Sequence, residues 1–320
     1  MRDLKFVHSF STRPLLIDCY GIDGMVRMLS QVWYFSLSVA YLKKLGAKIV
    51  LHTDSLGKAL LGHLPYDEIR TTLDDWPDGI NPRFWAAGKF VALLNESAPC
   101  IHIDGDVFIK RESLLELIAD KLDRADLLVQ SSDPACMYKM EEPLFAKAAQ
   151  FCSEHGIVAD GQDSLNTGLL GFRDDATRLR LCENYIEVAR HFSANFAEDL
   201  DSGQMLTPDL LAEQKMVAGF SDMMGWRVDK LLDNCHQAAT IGYQHVFTVD
   251  KINNMPSCMA TLKAVDPEIY EATARLCGGE LPWRAWLTAP DEEPTDTPTP
   301  SRPDNITFTS DYNDFQLCHT

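Results

Sequence analysis

The sequence predicts an α/β protein built on a mixed, mostly parallel sheet flanked by helices. In the first half of the chain, short apolar β-type runs alternate with segments of helical periodicity, the pattern of a parallel sheet covered on both faces. The 320 residues are enough to bury one large core. A composition of 46% hydrophobic and 24% charged residues is that of an ordinary soluble globular protein.

In chain order, Leu4 to Phe10 is a short apolar strand. Met25 to Leu45 is a long helix, nearly long enough to span a bilayer. However, Arg27, Gln31, Tyr34, Ser38 and Tyr41 recur every three or four residues and give it a polar stripe. Lys43-Lys44 and then Gly46 close it, so it reads as a core-packed helix rather than a transmembrane segment. Ala47 to His52 is a buried strand ended by Thr53-Asp54-Ser55, Gly57 to Leu64 a helix or turn, and Asp67 to Leu73 an edge strand. Pro82 to Leu94 has helical periodicity, with Asn81-Pro82 as its start. Pro99 to Ile109 is a strand, Leu114 to Leu122 a helix, and Asp126 to Gln130 a strand. The second half is less regular: helix Glu141 to His155, a glycine-interrupted strand Ser164 to Phe172, helix Ala176 to Asn195, helix Leu210 to Phe220, strand Gly242 to Val249 and helix Pro267 to Leu276. After Trp286 the chain turns acidic and Pro/Thr-rich, which cannot bury a core, so residues 288–320 read as a disordered tail.

Charge and cysteines exclude several classes. A formal net charge of -18 argues against nucleic acid and against a polybasic membrane anchor. Nine scattered cysteines without a C-x-x-C pair give no zinc knuckle or thioredoxin-like motif. Cys100, Cys152 and Cys182 sit in apolar runs and read as reduced, buried thiols. Together with a start that lacks a signal-peptide apolar stretch, this points to the cytoplasm.

In open α/β sheets, ligands sit beyond the carboxyl ends of the strands. That rule singles out Thr53-Asp54, Asp104-Gly105-Asp106 and Ser131-Ser132-Asp133. The strongest is D-G-D at Asp104 to Asp106, between the apolar runs Cys100–Ile103 and Val107–Ile109. Two carboxylates at a strand end, with Gly105 allowing the backbone to bend, can gather around a hard divalent cation. Such a cation neutralises charge on a leaving diphosphate. The competing reading is a solvated turn, since Asp and Gly are ordinary turn residues.

I-H-I-D-G-D-V-F-I resembles the D-x-D segment of GT-A glycosyltransferases, and other pieces follow in that family's order. F-V-H-S-F (His8, Ser9) and H-T-D-S (Thr53, Asp54) resemble nucleotide-pocket strand ends. Lys89 in W-A-A-G-K-F-V-A-L-L resembles the basic residue of the preceding helix. L-N-T-G-L-L-G-F (Asn166, Gly168) resembles the N-x-G stretch, and Glu213-Gln214 the later acidic-Gln pair. Y-Q-H-V-F, with His245, resembles the late histidine of the metal site. The likeness spans residues 4 to 250. It is nearest to bacterial GT-A-like proteins and looser to family 8, whose Gly and Lys-Pro-Trp after the histidine are replaced here by H-V-F-T-V-D-K-I-N.

The resemblance implies one GT-A-like domain over residues 1–287, with a nucleotide-binding half to about 135 and an acceptor-side half beyond it. It implies Mn²⁺ or Mg²⁺ on Asp104, Asp106 and His245, and a UDP- or GDP-linked sugar as donor. The donor would be held by His8, Ser9, Thr53, Asp54, Lys89, Asp104, Gly105, Gly168 and Gln214. The acceptor would be a carbohydrate or other hydroxyl.

Each residue also has a plain structural reading. Lys89 is a solvated helix charge or an ammonium held against phosphate or Asp. His245 is a core histidine or a ligand. Asn166-Thr167-Gly168 is a β-bulge, or a sugar-binding stretch in which Asn166 donates to the sugar and Gly168 gives the ligand room. An inverting enzyme needs a carboxylate base, for which Glu213 and Asp163 are the candidates. His102 reads as structural, facing away from Asp104's neighbours in the pleat, and His236 as exposed in a polar loop. Trp76, Phe84, Trp85, Trp226 and Trp283 stack on sugars or fill the core. The alternatives to a glycosyltransferase are a sugar nucleotidyltransferase, disfavoured by the lack of a Gly-rich phosphate loop after the first strand, and a non-catalytic nucleotide-sugar-binding module.

Overall fold

The computed structural model describes residues 4–16, 24–133, 142–157, 163–196, 211–233, 237–246 and 251–278. His236, Trp283 and the acidic tail from 288 lie outside them. Seven strands form one sheet in the order β3-β2-β1-β4-β7-β6-β8. These are β1 (Lys5–Phe10), β2 (Lys48–Thr53), β3 (Glu68–Arg70), β4 (Cys100–Ile103), β6 (Leu127–Asp133), β7 (Ser164–Phe172) and β8 (Val228–Lys230). Neighbours run parallel except at β7, which is antiparallel to both β4 and β6. The expected mixed, mostly parallel sheet between helices is therefore present.

The run read as one strand from Pro99 to Ile109 is two. After β4 the chain turns, with Val107 N donating to Asp104 O at 3.0 Å. It then continues as β5 (Val107–Ile109), which pairs with β9 (Tyr243–His245) in a separate antiparallel ribbon. Gly105 is required there by space: a Cβ would lie 2.2 Å from the Phe35 ring. Its φ is not among the positive values, so the bend itself does not need glycine.

Two cores cover the two faces. Alternation along the strands divides them: Phe6, Ile49, Leu51, Ile101 and Ile103 face one, Val7, Cys100, Leu170 and Phe172 the other. The first lies under α1 (Gly24–Lys44), which packs on α9 (Lys251–Val265) and α10 (Pro267–Leu276). Two residues of the α1 polar stripe are buried, where Tyr34 OH donates to Lys251 O (2.7 Å) and Ser38 Oγ to Val107 O (2.7 Å), while Arg27, Gln31 and Tyr41 are half-buried. This fastens α1 to the chain just after the D-G-D turn and again six residues after His245. No helix among the described residues is long and apolar enough to cross a membrane.

The second core lies under α3 (Ala87–Leu94), α6 (Asp175–Asn195) and α7 (Met216–Met224). Phe90 of α3 stacks on Tyr185 of α6 at 3.8 Å between centroids, both fully buried. α3 begins five residues after the expected Pro82, because Asn81 Oδ1 accepts from Arg83 N (3.0 Å) and closes a turn there. Just past the end of α3, buried Glu96 accepts from Lys5 (2.5 Å), His52 (2.8 Å) and Arg70 (3.0 Å). Burial pushes its carboxyl up, but the hydrogen bonds from His52 and Lys5 outweigh this and hold it at about 2. The network anchors α3 to β1, β2 and β3.

Of the remaining elements, α2 (Ser55–Leu61), α4 (Glu112–Arg124), α5 (Glu142–Glu154) and α8 (Gln237–Ile241) complete the chain. The expected helix Leu210 to Phe220 begins with a π-helical turn, Leu211–Lys215, before α7. Cys100, Cys152, Cys182, Cys258 and Cys277 are buried and not in disulfides.

Two predictions follow from this packing. Phe90→Ala should cost about 3 to 5 kcal/mol in urea unfolding, since it empties the α3–α6 contact. His8 is fully buried, and desolvation, opposed more weakly by Asp104, holds its imidazole at about 3. The unfolded chain takes up this proton near 6.5 and the folded chain does not. Stability from His8 is thus complete above pH 6.5 and declines as pH falls towards 3, by up to about 1.4 kcal/mol per unit. His8→Gln should remove that part of the acid slope, read from unfolding midpoints between pH 6.5 and 4.5.

Candidate metal centre

The carboxyl ends of β1, β4 and β6 and the start of β7 open on one edge of the sheet. Asp104 N donates to Gly168 O at 2.9 Å, so the D-G-D turn lies against the N-x-G stretch of β7. His245 pairs across the ribbon with Val107, and Val246 N donates to Asp106 O (3.1 Å). The register of a three-residue ribbon thereby brings a histidine 139 residues distant to the aspartates. One ligand atom from each of Asp104, Asp106 and His245 lies within 4.8 Å of the others. His245 Nε2 is 3.6 Å from Asp106 Oδ1. Two carboxylate oxygens and an imidazole nitrogen suit an ion such as Mn²⁺ or Mg²⁺, with positions left for phosphate oxygens. The three residues singled out for a metal are brought together, and they fit one.

Each aspartate has an ammonium beside it. Lys89 Nζ is 3.1 Å from Asp104 Oδ1 and 2.6 Å from Glu213 Oε1, and donates to Thr167 O at 3.0 Å. Lys89 and Glu213 are both buried, so Lys89 is an interior cation and not a solvated helix charge. Desolvation lowers the Lys89 pKa, but the carboxylates of Asp104 and Glu213 raise it above its ordinary value. Desolvation raises Asp104, and Lys89, His102 and His245 together overcome it, holding the carboxyl at about 2. Lys251 Nζ, from the start of α9, is 2.7 Å from Asp106 Oδ2.

Several expected residues have interior work. His102 shares a face with Asp104, since residues two apart lie on one side of a strand, and His102 Nδ1 is 3.8 Å from Asp104 Oδ1. Its Nε2 meets Ser9 Oγ at 2.8 Å. His8 lies between Tyr66 OH (3.0 Å) and Ser38 Oγ (3.2 Å). Thr53 Oγ1 donates to Phe10 O (2.7 Å). Asp54 caps α2 through Gly57 N (2.7 Å) and accepts from Thr12 N (2.6 Å), clasping two strand-end loops. Asn166 accepts from Gly168 N (3.0 Å) and donates to Asp133 Oδ2 (3.1 Å). This is the bulge geometry, and the β6–β7 register shifts beside it. Gly168 makes room for protein rather than directly for a ligand: a Cβ would lie 2.6 Å from both Gln130 Oε1 and His245 Cε1. Gln214 follows Glu213 in the π-turn, and its Oε1 is buried without a hydrogen-bond partner among the described residues. Asp163 is exposed at the start of β7, about 16 Å along the strand from Gly168.

Sequence reasoning missed Lys251 and Gln130. Lys251 was legible only as the lysine six residues after His245. Gln130 accepts from Tyr243 OH (2.7 Å) and contacts His245 Nδ1 (2.8 Å) through the same oxygen, and nothing local marks it.

A buried ammonium shared by two carboxylates makes a sharp prediction. Lys89→Met leaves Asp104 and Glu213 uncompensated and should destabilise the fold by about 3 kcal/mol or more. Adding Glu213→Gln should recover part of that loss, measured by thermal or urea unfolding.

No curated protein matches the sequence. Among solved structures, the chain is similar to the galactosyltransferase LgtC in complex with donor and acceptor sugar analogs, with a TM-score of 0.38 and 13% identity over 88% of this chain and 99% of that one. It is also similar to mouse xyloside xylosyltransferase 1 in its apo form, with a TM-score of 0.35 and 13% identity over 74% and 86%. For CMP:2-keto-3-deoxy-manno-octonic acid synthetase complexed with CTP, the TM-score is 0.31 and the identity 13%, over 83% and 99%. The model of DUF6734, a family of unknown function, matches residues 4–276, and the chain belongs to that family.

Proposed function

We propose that this protein is a metal-dependent glycosyltransferase of the GT-A type, moving a sugar from a nucleotide-sugar donor to an acceptor hydroxyl. The observation that carries the reading is the convergence of Asp104, Asp106 and His245 within 4.8 Å at the carboxyl edge of the sheet. The D-x-D resemblance of the sequence around Asp104 supports it independently.

In this reading, Asp104, Asp106 and His245 hold Mn²⁺ or Mg²⁺, which when bound neutralises the charge growing on the leaving diphosphate. Lys89 fixes Asp104 through the shared ion pair with Glu213, and the bridge sets where the donor's phosphates meet the turn. Lys251, already 2.7 Å from Asp106, supplies a second positive charge on the diphosphate side. The orphan carbonyl oxygen of Gln214 accepts a hydrogen bond from the donor sugar, since a buried acceptor left unpaired is costly. Asn166 and Gly168 shape the sugar side of the pocket through the bulge. His8, Ser9, Thr53 and Asp54 act as the floor of the nucleotide half, held by Tyr66 and Ser38, by His102, by the Phe10 carbonyl and by Thr12 respectively.

The transfer itself forms a bond between the acceptor oxygen and the anomeric carbon. The bond from that carbon to the β-phosphate oxygen breaks with its electron pair on the phosphate, and the acceptor proton passes to a base. Of the two carboxylates proposed for that role, Glu213 lies at the site and binds Lys89 and Thr167 through one oxygen, while Asp163 is exposed at the far end of β7 from Gly168.

The test is nucleotide binding read by thermal shift, followed by donor hydrolysis. UDP or GDP should raise the melting temperature only with Mn²⁺ present, and one nucleotide sugar should be hydrolysed. Asp106→Ala should lower that hydrolysis by about 10²-fold or more. A response to nucleoside triphosphate instead would select the nucleotidyltransferase reading. Metal-dependent binding with no hydrolysis of any donor would leave a binding module.

A further inference from the structure

Gln130 occupies the place where β6 and β7 fall out of step. Val129 pairs with Leu170 and Ser131 with Asn166, so Thr167, Gly168 and Leu169 of β7 oppose Gln130 alone. Such bulges re-aim side chains next to active sites. The buried Gln130 side chain is directed at the β9 strand, where its Oε1 takes the Tyr243 hydroxyl at 2.7 Å and lies 2.8 Å from His245 Nδ1. A carbonyl oxygen only accepts. With both contacts on that oxygen, the hydrogen of His245 belongs on Nδ1, and the lone pair of Nε2 faces Asp106 Oδ1, 3.6 Å away. Space for this arrangement comes from Gly168, where a Cβ would lie 2.6 Å from Gln130 Oε1 and 2.7 Å from His245 Nδ1.

We propose that Gln130 is a positioning residue: its side-chain oxygen holds His245 in the Nδ1–H tautomer and so presents Nε2 as a metal ligand. Gly168 is the residue that lets the two side chains meet. The glycine of the N-x-G stretch thus serves the histidine from behind. An outer partner on the far nitrogen of a ligating histidine sets both ring orientation and ligand basicity. The ligand half of this inference rests on the cation reading of Asp104, Asp106 and His245. The tautomer half does not, because it is read without metal.

The experiment uses the full chain labelled with ¹⁵N-histidine and free of metal. Long-range ¹H–¹⁵N spectra report which ring nitrogen of His245 carries hydrogen, with His245→Asn giving the assignment. Wild type should show Nδ1–H. Gln130→Met should lose that single tautomer and bind Mn²⁺ about 10- to 100-fold more weakly, by the paramagnetic resonance of free Mn²⁺. Gln130→Glu, which keeps an acceptor in the same place, should keep both the tautomer and the affinity, and it preserves a test should the methionine variant fail to fold. An Nε2–H tautomer in wild type overturns the proposal, as does a methionine variant unchanged in both readouts. Equal losses in the glutamate and methionine variants overturn the acceptor role. A wild-type protein with the expected tautomer and no Mn²⁺ binding overturns the ligand half and the cation reading together.

Discussion

One buried ammonium organises this site. Lys89 reaches from α3 to Asp104 at the end of β4, to Thr167 in β7 and to Glu213 in the π-helical turn. Each element would otherwise bring an isolated charge or an open carbonyl into the interior, at a cost of several kcal/mol per ion. Shared through a single Lys89, the three become a junction whose geometry is over-determined. Small neighbours make it feasible: Ala86, Ala87 and Gly88 are buried and let the start of α3 approach the sheet closely. The Glu96 network past the other end of α3 and the Phe90–Tyr185 stack at its middle keep the helix from rotating Lys89 away.

The fold was legible wherever local pattern and tertiary environment agreed. β1, β2, α1, α6, β7 and α10 were readable because apolar period and end signals coincided; the last begins with Asp266 capping Glu268 N and Ile269 N ahead of Pro267. Failures came where long-range constraints won. β4 and β5 read as one strand from Pro99 to Ile109, yet the chain turns between them where Gly105 meets Phe35 and Ser38 of α1 takes the Val107 carbonyl. α9 went unread because Pro256 and two asparagines interrupt a helical pattern that packing against α1 restores. β8 carries Asp229 and Lys230 and has little strand propensity of its own; its pairing with β6 supplies the order.

The same division runs through the site. Asp104, Asp106 and Lys89 could be found because strand-end acids and a lysine among small residues are local signals. His245 needed the order of motifs, since only the β5–β9 register shows which way it points. Gln130 had no signal at all. It becomes informative once Tyr243 and His245 converge on its oxygen and Gly168 backs against Gln130 and His245. Parity adds a neighbour: His102 and Asp104 are two residues apart and share a face, so the imidazole belongs to the environment of the carboxylate.

The charges at the turn connect these observations to the proposed chemistry. Asp104, Asp106 and Glu213 give three negative charges and Lys89 and Lys251 two positive ones, a sum of -1 before any ligand binds. Such a set is stable as it stands, because every carboxylate has an ammonium within 3.1 Å. A divalent cation alone turns the sum to +1 and brings a second positive charge against the two ammoniums already on Asp104 and Asp106. A diphosphate removes that conflict by offering its oxygens to the cation and to Lys251 together. On the proposed reading, cation and donor therefore favour one another's binding, by the reciprocity that any coupled pair of ligands obeys. Lys251 is the residue through which this works, since it begins α9 with its carbonyl held by Tyr34 while its ammonium spans to Asp106. Its backbone is fastened to the core, so the ammonium is the part able to pass from carboxylate to phosphate.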